Sequence, residues 1–181
     1  MMEEKKQDWK RLLPYIGIPV LGLGLWFQEQ DMTLKLLQET LMLFGYLAAV
    51  KDLREKRVPN ALTGAMLAAW VLIMAPQLFY RTEFALWLML GDVIGAVLAG
   101  IVFLIVYLVS RKGLGGGDVK LMTAAGLYLG ADVLPAMLYG SVLAAAAGGC
   151  LLLTKKIGRR DTIPLVPFLY AGMLLAMFSQ T

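Results

Sequence analysis

The chain contains no histidine and only one cysteine, Cys150, among 181 residues. A Ser-His-Asp or Cys-His catalytic arrangement is therefore excluded, as is a cysteine/histidine zinc site. A disulfide within the chain is excluded as well. Cys150 itself sits in an apolar run, GGCLLLT, where a small packing residue is the simpler reading. Charge is also scarce, at 17% of residues. There is no low-complexity tail and no stretch that reads as a soluble domain.

What is present is apolar residues in long runs. They make up 59% of the chain, and the mean hydropathy is +0.70. That is too apolar for an ordinary soluble domain. Residues 12–27, 61–80, 93–110 and 133–154 carry no charge. Runs of about 17 residues or more are long enough to cross a bilayer as helices. Seven apolar segments can be drawn, at about 12–28, 34–50, 61–80, 85–110, 118–131, 133–154 and 162–179. The expected fold is all-α, a polytopic membrane helix bundle of about seven helices. The fifth segment is short for a full span and is expected to be tilted, re-entrant or extended by neighbouring glycines. The first follows a charged start, but no small-x-small site ends it, so a retained helix is expected rather than a cleaved signal.

Basic residues set the expected orientation. All 17 except Lys35 and Arg81 flank the same ends of these segments. Cytoplasmic loops carry the excess of Lys and Arg, so the N-terminus is expected in the cytoplasm. The net charge of +4 is then a topology signal, and nucleic-acid binding is not needed to explain it. Residues 1–181 read as a single membrane domain in the cytoplasmic (plasma) membrane.

Most acids are solvated or paired; Glu39, for instance, lies one turn from Lys35. Three are not so simply explained. Asp52 closes the second segment, Asp118 opens the fifth after a glycine run, and Asp92 lies within the fourth. The topology puts Asp52 and Asp118 at one level on different helices, with Asp92 nearer the opposite side. Each has a bland reading. Asp118 is a natural N-cap, Asp52 a solvated acid among Lys51, Arg54, Lys56 and Arg57, and Asp92 a structural contact or an ion-pathway residue. Val58, Pro59 and Asn60 read as a turn and helix start.

Taken together, two acids at one depth allow more. Close carboxylates share a proton. The ionised member can take a proton from water, and the protonated one can donate to a peptide carbonyl. Such chemistry calls for no metal and no cofactor. Gly115, Gly116 and Gly117 would let an extended substrate backbone approach Asp118.

These residues also resemble a known family. Asp52 followed by basic residues and VPNALT (58–63) resembles the first aspartate motif of type IV prepilin peptidases. GLGGGDVKLMTAAG (113–126) resembles their second, GxGD motif, and TIPLVPFLYAG (162–172) their C-terminal proline-phenylalanine segment. The resemblance implies an integral-membrane aspartic protease that cuts the basic leader from prepilins or pilin-like proteins on the cytoplasmic side. It makes Asp52 and Asp118 the catalytic pair, with Gly115, Gly117, Pro59 and Asn60 as supporting motif residues and Lys120 beside the pair. The substrate it implies has a basic leader and a hydrophobic helix. Larger members carry a cysteine-rich cytoplasmic loop, often linked to zinc, and many also methylate the new N-terminus. This chain has no such loop, so cleavage without methylation is expected. It is similar to compact members: residues 34–179 match a six-helix core, and residues 1–32 add an N-terminal helix.

Two other readings stay open on the sequence. One is a small proton- or cation-coupled transporter or channel using Asp92. The other is a non-catalytic membrane assembly factor.

Overall fold

The structure, a computed structural model, describes residues 31–110, 114–154 and 163–179. The expected helix at 12–28 lies outside the described residues, as do the basic loop residues at 155–160. The described residues form six α-helices and no strand: α1 (Met32–Glu55), α2 (Asn60–Tyr80), α3 (Thr82–Val109), α4 (Gly116–Leu129), α5 (Val133–Leu153) and α6 (Val166–Ser179). A single 3-10 turn, Gly130–Asp132, joins α4 to α5.

Local chemistry explains the boundaries. Asp31 caps α1 by accepting the Thr33 N–H at 2.9 Å. Past its apolar stretch, α1 continues through charged residues and ends at Lys56. That residue adopts the left-handed conformation, with φ 50°, and donates its N–H to the Asp52 carbonyl. Pro59, with φ −66°, leads directly into α2, as the Val-Pro-Asn signal predicts. A single residue, Arg81, separates α2 from α3 and pairs with Asp31. The last helix starts at Val166, several residues later than the apolar segment does. Proline lacks an N–H and disfavours a helical residue before it, so Pro164 delays the start.

Three stretches are long and apolar enough to cross a membrane: Asn60–Tyr80, Thr82–Val109, and Gly116–Leu153, which runs through the 3-10 turn. Val166–Ser179 is a shorter apolar helix. Large side chains such as Phe79, Trp87 and Val109 are exposed on the helix surfaces, as lipid-facing residues would be. The core is instead filled by methionine, leucine and alanine, including Met42, Met66, Met122, Leu169 and Met173.

Small residues bring two helix pairs into backbone contact. On α3 and α4, a Cβ at Gly95 would lie 2.2 Å from the Gly130 carbonyl oxygen, and one at Gly126 would lie 2.6 Å from the Ala96 Cα. On α5 and α6, a Cβ at Gly172 would lie 2.3 Å from the Ala136 carbonyl oxygen. Helices in lipid gain little from burying apolar surface, so close packing of this kind holds them together.

Contacts also fix the direction of each helix. Residue 136 meets residue 172 and Gly148 faces Ile163, so α5 and α6 run antiparallel. Gly117 meets Val58 at one end of the bundle, while Gly130 meets Gly91 at the other. Within the described residues the chain thus passes back and forth six times between two ends. One end gathers Asp52, Asn60, Asp118 and Val166; the other gathers Asp31, Arg81, Asp92 and Asp132.

Candidate active site

The first end holds a cavity of about 420 Å³ into which three separate parts of the chain converge. The C-terminus of α1 contributes Asp52, and the turn after it contributes Lys56, Arg57 and Val58. The start of α4 contributes Gly115, Gly116, Gly117 and Asp118. The entry to α6 contributes Ile163, Pro164 and Leu165.

Asp52 is only 6% exposed. One carboxylate oxygen, Oδ2, accepts the backbone N–H of Val166 at 3.0 Å. The Leu165 amide also donates to this carboxyl. The acid at the end of α1 therefore caps the N-terminus of α6, where unsatisfied N–H groups and the helix dipole favour negative charge. Burial nevertheless pushes the Asp52 carboxyl above its ordinary range; the two amides and the nearby Lys56 charge pull it back.

Asp118 is half-buried and sits at the third position of α4. Its Oδ2 accepts the Gly115 N–H at 3.1 Å, one half of a capping box, and the Asp118 N–H donates to the Gly115 backbone carbonyl at 3.1 Å. The N-cap position expected for this acid is instead taken by Gly115, with Asp118 one turn in, and the same carboxyl also lines the cavity. Asp52 and Asp118 are close enough for their charges to act on each other.

The three glycines do different work. At Gly117 a Cβ would come 3.2 Å from the Val58 Cβ, so its bareness lets α4 dock on the turn after α1. At Gly115 a Cβ would press on the Asp118 carboxylate, at 3.3 Å. Only Gly116 has nothing within 4 Å. All three line the cavity, and at Gly116 alone of the three a Cβ would meet nothing of this chain. None of them has a positive φ, so space and not conformational freedom is what they supply.

Lys120 is exposed and donates to the Asn60 Oδ1 at 3.0 Å. It joins the start of α2 to the start of α4, and so ties the segment after Pro59 to the glycine segment. Sequence reasoning did not find the Leu165 and Val166 amides on Asp52, because the partners are 114 positions apart. The proline-rich segment had been singled out, and it holds those donors.

Asp92 lies at the other end, 2% exposed, with its Oδ2 accepting the Trp70 indole N–H at 2.9 Å. It does not share the first cavity. Among the described residues, no group of three or more His, Cys, Asp or Glu side chains could hold a metal ion.

Fold and geometry define a class: an all-helical membrane protein with two carboxylates from different helices facing one cavity at the helix ends. Comparison with known sequences gives the family. Residues 39–151 match the model of the Type IV leader peptidase family, and the chain belongs to that family. It is 33% identical over 132 residues to a prepilin leader peptidase/N-methyltransferase of Stutzerimonas stutzeri, covering 71% of this chain and 45% of that protein. It is 38% identical over 80 residues to the protein of the same description from Bacillus subtilis, covering 43% of this chain and 32% of that one. A third, from Xanthomonas campestris, is 32% identical over 120 residues, with 65% and 41% covered. The chain thus spans less than half the length of these curated relatives. No solved structure gives a match.

Proposed function

We propose that the chain is an aspartic endopeptidase that removes the leader of prepilins or pilin-like proteins. The observation that carries this is the convergence of Asp52 and Asp118, from separate helices, on one cavity. In this reading the pair shares one proton. The ionised carboxylate takes a proton from a water molecule as its oxygen attacks the scissile carbonyl carbon. The protonated carboxyl donates to the carbonyl oxygen, where charge develops. Collapse of the tetrahedral intermediate breaks the C–N bond, and a proton passes to the departing amine. The apparent pKa values belong to the pair.

The substrate is a chain with a basic leader followed by a hydrophobic helix, whose unwound junction enters beside Gly116. The site faces the cytoplasm, since the basic residues gather at this end. The protein is a single multi-pass domain in the plasma membrane, with residues 34–179 as the protease core and residues 1–32 as an additional helix before it. Membrane helices then number about seven. Gly115 and Gly117 shape the start of α4, and Pro59, Asn60 and Lys120 hold the α2 start against it. No cofactor takes part, and the new N-terminus is not methylated.

The test is co-expression with a pilin-like substrate followed by mass spectrometry of the product. Cleavage at the leader boundary, no added methyl group, and loss of cleavage in both Asp52→Asn and Asp118→Asn are expected. Processing that survives both substitutions would sink the paired-acid mechanism.

A further inference from the structure

Two prolines thin out the hydrogen-bond donors at the entry to α6. Pro164 and Pro167 carry no N–H. Between them stand Leu165 and Val166, and both of their amides donate to Asp52, Val166 to Oδ2 at 3.0 Å. The next two amides, of Phe168 and Leu169, return to the Leu165 carbonyl at 3.0 and 3.1 Å. A helix start ordinarily leaves several N–H groups to water. Here the two that remain serve one carboxylate. Each proline ring also fixes its own φ, so the backbone is stiff on both sides of the donors. The helix itself is held by close packing: a Cβ at Gly45 would lie 2.8 Å from Tyr170 Cδ2, which sets α6 against α1 two turns before Asp52. The amides therefore meet the carboxyl as fixed parts of the frame.

Asp118 is served differently. Among the described residues it accepts one amide, that of Gly115, and on Oδ2 only. The charge acting on it is that of Asp52, a like charge. Asp52 has the Lys56 charge beside it as well. Lys56 and Arg57 are the charged groups that the turn after α1 adds to the cavity. Lys51 pairs with Glu55, Lys120 donates to Asn60, and α2 and α6 carry no charged residue. Each amide and each cation favours the ionised form of the acid it serves. Two acids that share one proton leave the charge where it is best served, and that is on Asp52.

We infer that the two acids have fixed roles: Asp52 is the base and Asp118 the acid, with the Leu165 and Val166 amides as the positioning groups that hold Asp52 ionised. This rests on the peptidase reading. The Asp52 carboxylate takes a proton from water as the water oxygen bonds to the scissile carbonyl carbon, and Asp118 gives its proton to the carbonyl oxygen. When the C–N bond breaks, Asp52 passes its proton to the departing amine, and Asp118 recovers one from a hydroxyl of the tetrahedral intermediate. The pair ends as it began.

The experiment is the pH profile of kcat for leader cleavage by the full chain in detergent, compared between Val166→Pro and Val166→Ala. Residue 166 is the first of α6, where proline is favoured, so Val166→Pro deletes one N–H at little cost to the helix. Val166→Ala trims the same buried side chain and keeps the N–H. Losing a donor disfavours the ionised form of Asp52 and raises the pH at which it ionises. The acid limb, where the base must ionise, is expected about one pH unit higher in Val166→Pro than in Val166→Ala, with the alkaline limb in place. If Val166→Pro does not fold, the α-hydroxy analogue of valine, placed at 166 by stop-codon suppression, swaps the N–H for an ester oxygen under an unchanged side chain. It is expected to give the same displacement. Movement of the alkaline limb instead assigns the roles the other way round, and no movement of either limb leaves the amides without a part; each result overturns the inference. A wild-type chain that cleaves no pilin-like substrate, or full activity in Asp52→Asn and Asp118→Asn, marks the failure of the peptidase reading itself.

Discussion

The two ends of this bundle each bury an acid, and they treat it in opposite ways. At one end, Asp52 receives two backbone amides from the entry to α6, and Lys56 and Arg57 stand in the same cavity. At the other, Asp92 receives one indole N–H, and its cavity is lined by a second acid and, among the described residues, by no base. Amide donors and nearby cations favour the charged form of a carboxylate. Burial alone therefore does not tell the two carboxylates apart; the neighbours do.

The largest expected effect tests that contrast directly. Asp52→Asn and Asp118→Asn should each lower leader cleavage by roughly a thousandfold or more, since in the proposed reaction each removes a group that moves a proton. Asp132→Asn, at the other end, should leave the cleavage rate unchanged. Comparable losses at both ends in the gel-based processing assay would erase the distinction.

A second comparison lies within the glycine run. Gly117→Ala should lower stability by about 1–3 kcal/mol, because its Cβ would crowd Val58. Combining it with Val58→Ala should recover part of the loss. Gly116→Ala meets open space and should change stability by no more than about 0.5 kcal/mol. If cleavage nevertheless falls in Gly116→Ala, the open side of that residue is where substrate passes. Denaturation in mild detergent beside the cleavage assay separates the two effects.

The third prediction concerns pH and contrasts Asp52 with Asp31. Burial raises the Asp52 carboxyl above its ordinary value. Its contribution to stability is then present at low pH and is lost as pH rises through the folded-state value. The Arg81 partner lowers Asp31 below its ordinary 3.8. Its contribution is present above that value and is lost as pH falls through the folded-state value. Melting curves against pH should therefore show Asp52→Asn gaining on wild type as pH rises, and Asp31→Asn losing most at neutral pH. The Asp31 effect should be only about 0.2–1 kcal/mol, because the pair is partly exposed to solvent. The smallest expected effect is Lys120→Met, which removes an exposed hydrogen bond to Asn60. It should lower the cleavage rate by less than about tenfold and stability by about 1 kcal/mol or less.

The helices were largely legible from the sequence because uncharged runs of this length have few other physical outcomes. Their ends were less so: α1 continues past Val50 into charged residues, and Pro164 holds back the start of α6. The two acids at the first end stood out because they border apolar segments at matching depths. Their surroundings did not. Three consecutive glycines look alike in sequence, yet in the fold one faces Val58, one faces Asp118 and one faces nothing. The amides on Asp52 depend on how the last helix docks, which no local pattern encodes. Asp92 was visible as costly, but Gln38 was not visible as sharing its cavity, since the two come from different helices. The distribution of basic residues read from the sequence agrees with the described ends, where Lys51, Arg54, Lys56, Arg57 and Lys120 gather opposite Lys35 and Arg81.

The hydrogen bond from Val166 to Asp52 has a bearing on biogenesis. A ribosome makes residue 52 long before residue 166, and the donor arrives only with the stretch that forms α6. Until that stretch inserts, the acid has no amide to steady it and the cavity lacks a wall. The cavity shared by Asp52 and Asp118 is thus closed only after α1 to α5 have been made.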